Sequence, residues 1–157
     1  MSNCKEAPTP ILTCLRLSKD DDGSIVDPKM FKRLVGSLMY LTETIAYIMY
    51  GVSLESRFME SPKYSHWKAC KRIMRYVSGT KDLGIMYPTS ENFKLIGYTH
   101  NDNGGNRYDM KRTSGYTFYF GMGVVSWAFK KQPLVTMSLA EVEYVVATCA
   151  TCQDFWM

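Results

Sequence analysis

"RYVSGTKDLGIMYPTSENFKLIGYTHND", residues 75–102, is where the chain changes period. Up to Val77 the apolar residues recur every three or four positions. From Phe93 they crowd into a short run of aromatic and branched side chains ending at His100. Between the two lie Gly79, Gly84 and Pro88, with the polar cluster Thr89, Ser90, Glu91 and Asn92. A helical segment thus gives way to strands without alternating with them, and that predicts an α+β fold rather than βαβ units.

On the helical side, Asp27 followed by Pro28 reads as an N-cap with proline in the first turn. Phe31, Leu34, Val35, Leu38, Met39 and Leu41 follow at helical spacing. A second helix is expected over 45–59, closed by Ser61-Pro62. A third runs from about Ser65 to Val77. It carries His66, Cys70, Ile73 and Val77 on one stripe and Lys68, Lys71, Arg72 and Arg75 on another, so its outer face is basic. Three short-linked helices make a small bundle. Ahead of them, residues 1–26, with Pro8, Pro10 and "SKDDDGS", read as an extended linker contributing no core.

On the strand side, runs at 84–87, 93–100, 115–120 and 124–130 predict an antiparallel meander. "GMG" at 121–123 reads as a hairpin turn. It is a weak phosphate-binding signal, because a strand rather than a helix follows it. "SLAE" at 138–141 is a capping box opening a last helix that reaches Trp156. The expected organisation is 1–26 linker, 27–80 helical bundle, and 81–157 meander plus one helix.

A chain of 157 residues, 46% apolar, can bury one moderate core or two small ones. No apolar run approaches the roughly 20 residues of a membrane span, and no basic-then-apolar leader follows Met1, so an intracellular protein, cytoplasmic or nuclear, is expected. The net charge is +4. It is concentrated in 61–87, where Lys63, Lys68, Lys71, Arg72, Arg75 and Lys81 oppose Asp82 alone. Such a stripe suits phosphate contacts, although a solvated helix face is its commoner meaning. Cys149 and Cys152 form a CxxC without a second ligand pair, and are read as small buried helix residues.

Few acids are placed to do chemistry. Glu141 and Glu143 are two residues apart on one helix, about 200° of rotation, so they do not serve one site. Glu141 belongs to the cap. Glu143, set among Val142, Tyr144, Val145 and Val146, is either a functional carboxylate or a flank residue pointing to water. With Asp102, after the second strand, it would make part of a metal site. His100 beside them offers a nitrogen better suited to zinc or copper than to magnesium.

"FKRLVGSLMYLTET", "SRFMESPKYSHWKACKRIMRYVSGTKDLGIMY", "KLIGYTHND", "KRTSGYTFYFG", "VVSWAFKKQP" and "SLAEVEYVVAT" resemble, in order and spacing, one part of copia-type retrotransposon Pol polyproteins. That part joins the end of reverse transcriptase to the start of ribonuclease H. The resemblance implies a thumb and connection bundle whose basic helix, with Lys68, Lys71, Arg72 and Arg75, lies along a nucleic-acid backbone. It implies a ribonuclease H-like unit after it. In the family "GYTH" reads Gly-Tyr-Thr-Asp, so His100 takes the place of a metal-binding aspartate, and the catalytic glutamate falls at Glu143. Asp102 has the right parity to substitute but lies about 7 Å along the strand. The family's further aspartates come after this helix, and its polymerase aspartates before the first one. On this reading the unit is incomplete and inactive, Glu143 is vestigial, and no cofactor is bound, where the intact family uses magnesium. The alternative is a weak, non-specific RNA- or DNA-binding module using the helix at 65–77. Neither reading calls for a membrane or a small-molecule substrate.

Overall fold

Asp27 caps the first helix as its sequence predicts: a carboxylate oxygen accepts the Lys29 N–H at 3.0 Å, and Pro28 begins α1, Pro28–Leu41. The computed structural model of the chain describes residues 4–12, 15, 17–19, 21, 23–87, 89, 94–101, 113–132 and 138–157. Among these are four α-helices and a three-stranded antiparallel sheet, in two compact units, Met1–Leu83 and Gly84–Met157. The α+β class expected from the sequence is what is observed.

The first unit is helical. α1 buries Phe31, Val35 and Leu38 against α2, Met49–Glu55, and α3, Tyr64–Gly79. The helix expected over 45–59 is broken: α2 has only seven residues and is flanked by single 3₁₀ turns, Ala46–Ile48 and Ser56–Phe58. No side chain caps its start, and Ile45 sits in a non-helical conformation, so the segment lacks the polar start signal that α1 has. Ile48, Val52, Phe58, Cys70 and Ile73 complete the core. Each fully buried aliphatic or aromatic side chain contributes roughly 1.5–3 kcal/mol.

The lead-in departs from expectation. Among its described residues there is no helix, yet Ala7 is buried and Leu17 packs against the core, while Ile11 lies on Gly51 of α2. Val26 N–H bonds Pro62 O at 2.9 Å and Tyr64 N–H bonds Ser24 O at 3.1 Å. The Arg72 guanidinium donates to Thr9 Oγ1 at 2.9 Å. Backbone polar groups and scattered single apolar residues hold this strap, and neither leaves a periodic trace in sequence.

In the second unit β1, Leu95–Asn101, pairs with β2, Thr113–Phe120, and β2 with β3, Gly123–Lys131. The turn is where "GMG" predicts it, with Gly121 at φ +64°, a conformation costly for any side chain but hydrogen. The strand expected over 84–87 does not form. Instead the Tyr87 hydroxyl donates to Val124 O at 2.6 Å and its ring lies against Gly123, so this segment braces the hairpin through a side chain.

α4, Leu139–Trp156, is capped by Ser138, whose Oγ accepts the Glu141 N–H at 3.1 Å. It buries Val142, Val146 and Ala150 on the sheet face carrying Phe118 and Ala128, and the Tyr116 hydroxyl on that face reaches Gln153 at 3.3 Å. Cys149 and Cys152, expected to be buried, are exposed. The helix is apolar on most sides, but among the described residues it is buried only along the Val142–Val146–Ala150 stripe. Among the described residues no helix is long and apolar enough to cross a membrane.

Candidate functional site

His100 lies in β1 opposite Gly115, while its neighbour Thr99 lies opposite Tyr116. Cross-strand partners share a face and successive residues alternate. Tyr116 faces α4, so His100 points to the other side of the sheet, exposed. Its ring neighbour is Phe129, with centroids 6.2 Å apart. The Phe129 ring also closes over Gly115, where an added Cβ would come within 2.7 Å of Cε1. The same face carries Ile96, Tyr98, Thr117 and Tyr119, which line an open depression of about 440 Å³ together with Gly121.

Glu143 is exposed on α4, adjacent to the buried Val142. Of the two readings given to it from sequence, the one that has it pointing to water matches its exposure. His100 and Glu143 therefore stand on opposite sides of the sheet unit. Asp102 lies outside the described residues. Magnesium fits this set poorly, since one donor is an imidazole nitrogen on the far face. Among the described residues no group of three or more His, Cys, Asp or Glu side chains is placed to hold a metal.

The basic stripe is drawn together on α3. Lys68 Nζ lies 4.9 Å from the Tyr64 ring centroid, and Lys71 Nζ lies 5.1 Å from that of Trp67. These i, i+4 pairs hold two exposed ammonium groups side by side. Arg72 is half-buried and engaged by Thr9, and Arg75 is half-buried as well. The exposed cations of the helix are thus the two lysines.

Sequence reasoning missed a buried polar cluster under the same helix. Glu55 is fully buried, and among the described residues neither carboxyl oxygen has a hydrogen-bond partner of good geometry. The Cys70 thiol beside it is a weak donor. Burial pushes the Glu55 carboxyl up to about 8, Cys70 pulls it down a little, and the nearby Asp21 charge raises it. Burial and the neighbouring acid push the Cys70 thiol up too. The signal was available: Glu55 follows Ile48 and Val52 at i+7 and i+3, in phase with the core stripe.

His66 is fully buried and stacked on Phe58, with centroids 3.9 Å apart. Its Nδ1 accepts the Lys63 N–H at 2.9 Å and Nε2–H donates to Ser18 O at 3.1 Å, so the ring is neutral, caps α3 and anchors the strap. Burial lowers its pKa, while Ser18 and Asp21, the latter 3.9 Å away, oppose that shift.

The chain is 36% identical over 144 residues, 92% of its length, to the retrovirus-related Pol polyprotein from transposon RE2 of Arabidopsis thaliana, of which it covers 10%. It is 36% identical, over an alignment spanning all of this chain, to that from transposon TNT 1-94 of Nicotiana tabacum, of which it covers 12%. A Plasmopara viticola protein named secreted RxLR effector protein 161 is also 36% identical over 78% of this chain and 87% of its own. The present chain contains no Arg-x-Leu-Arg. No family model matches the chain, and no solved structure does. A helical unit followed by a small sheet unit thus corresponds to one stretch of these polyproteins. The chain belongs to the copia-type, retrovirus-related Pol polyproteins of transposable elements. It spans about a tenth of the length of the Pol polyproteins it matches.

Proposed function

We propose that this chain is the stretch of a copia-type Pol polyprotein joining the end of reverse transcriptase to the start of ribonuclease H, and that it does not cleave nucleic acid. Residues 27–80 take the thumb and connection role, and 81–157 the ribonuclease H-like role. The observation that carries the reading is His100. It stands where the resemblance calls for an oxygen ligand, and it faces away from the helix bearing Glu143. Hydrolysis by paired divalent ions needs carboxylates converging on one point within about half an ångström.

The purified chain, incubated with magnesium and an RNA–DNA hybrid, is expected to leave the RNA strand intact. Cleavage above background that disappears in Glu143→Ala contradicts the proposal.

A second reading is favoured by the lysine–aromatic pairs on α3: weak, sequence-independent contact with RNA or DNA. Two exposed ammonium groups beside aromatic faces suit a phosphate backbone with stacked bases. Lys68→Glu with Lys71→Glu is expected to weaken binding of a single-stranded oligonucleotide at least tenfold. The slope of log affinity against log salt should fall by about 1.4, near 0.7 for each of the two phosphates that the lysines no longer neutralise. Binding indifferent to both salt and charge reversal removes this reading.

A further inference from the structure

Two positions in the chain set a hydroxyl residue directly before proline, Thr9-Pro10 and Ser61-Pro62. Proline has a fixed φ and no N–H, so a protein kinase whose cleft holds no acceptor for the amide after the target hydroxyl selects such pairs. The fold separates the two. Pro62 is fully buried and its carbonyl accepts the Val26 N–H at 2.9 Å, so drawing Ser61 into a cleft would open the core. Thr9 is exposed, on a stretch of the strap with neither helix nor strand, and within residues 4–12 Ala7 alone is buried. Local opening of such a segment leaves the bundle intact.

Thr9 already sits at a cation. Its Oγ1 donates to Ile11 O at 2.8 Å and accepts from the Arg72 guanidinium at 2.9 Å. Among the described residues no carboxylate pairs with that guanidinium, and its Nε has no hydrogen-bond partner. A hydroxyl is a weak partner for a planar fork whose geometry matches a phosphate. Lys68 stands one turn away on the same face of α3. Glu6, the acid three residues before Thr9, rests on Gly79, about 10 Å further along the helix, so it does not contest the position. We propose that Thr9 is a phosphorylation site for a proline-directed protein kinase, and that its phosphate pairs with Arg72 and clamps the strap to α3. In the transfer the bond between Thr9 Oγ1 and the γ-phosphorus of a nucleoside triphosphate forms, and the bond from that phosphorus to the β–γ bridging oxygen breaks. The hydroxyl proton passes to a carboxylate of the kinase, and the nucleoside diphosphate leaves. The phosphate carries a charge of about −1.5 to −2 at neutral pH and turns a hydroxyl contact into an ion pair.

The full chain, incubated with a proline-directed kinase and ATP, is expected to take up phosphate at Thr9, located by peptide mass analysis, and Pro10→Ala to take up about tenfold less. In the phosphorylated chain a ³¹P titration should place the second ionisation of the phosphate about one unit lower than in phosphorylated Arg72→Gln. The amides of 4–12 should exchange about tenfold more slowly than before phosphorylation, a gain that Arg72→Gln loses. Unchanged exchange in α1 shows that the variants fold. No uptake, uptake at Ser61 in place of Thr9, or uptake that ignores Pro10→Ala overturns the inference. So does a phosphate that titrates alike with and without Arg72, or a strap that exchanges alike before and after phosphorylation.

Discussion

Glu55→Gln is expected to raise the stability of the helical unit at pH 8–9 and to flatten its dependence on pH. The carboxyl is fully buried and held at a pKa of about 8, against an ordinary value of 4.5. Between those values the unfolded chain is ionised at this position while the folded chain keeps the proton. Folding therefore takes up a proton, and stability falls as pH rises from about 4.5 to about 8. The slope is roughly 1.4 kcal/mol per pH unit, reaching about 5 kcal/mol in all as an upper bound. Glutamine keeps the shape and has no charge to desolvate. Denaturant melts at pH 5, 7 and 9, followed by hydrogen exchange in 28–79, check this. A variant that loses stability with pH as the parent does contradicts the assignment of the buried charge.

The second large effect is expected at His66. His66→Ala removes a buried ring stacked on Phe58, the acceptor for the Lys63 N–H and the donor to Ser18 O. A core truncation that also leaves polar groups unpaired costs about 3–4 kcal/mol. The sign of its pH dependence is opposite to that of Glu55. With the folded pKa lowered, the unfolded state binds the proton first, so this contribution is complete above about 6.5, the unperturbed value, and is lost as pH falls. Alanine should lower the stability plateau and remove the acid-side loss due to this ring. The strap should exchange faster too, because Ser18 loses its anchor. A loss below about 1 kcal/mol in melts at pH 7 would mean that the ring carries little of the strap or cap.

Where a local rule was sufficient, the sequence was legible. Asp27-Pro28, Ser138 with Glu141, and the glycine turn at 121 each specify backbone geometry through one or two residues, and each stands where it was expected. The second helix was not, because apolar spacing gave no warning of the missing cap that leaves α2 short. The strap was illegible because its contacts are long-range: Thr9 with Arg72, Ser18 with His66, Ser24 with Tyr64. Cys149 and Cys152 misled for another reason. An apolar helix reads as buried, but how much sheet lies beneath it is a tertiary fact. Of the candidate site, the identities of His100 and Glu143 came from sequence, and their separation on two sides of the sheet needed the register. Glu55 is legible only through its helical phase, which matches that of the core residues Ile48 and Val52.

The central claim is that positions 100 and 143 do not share a divalent ion. Manganese titrated into the isotopically labelled chain tests it most directly, since its unpaired electrons broaden amide signals near any bound ion. Residues 99–101 and 142–144 are expected to broaden no more than the rest of the chain. Joint, saturable broadening of both segments, abolished by Glu143→Ala, would contradict it.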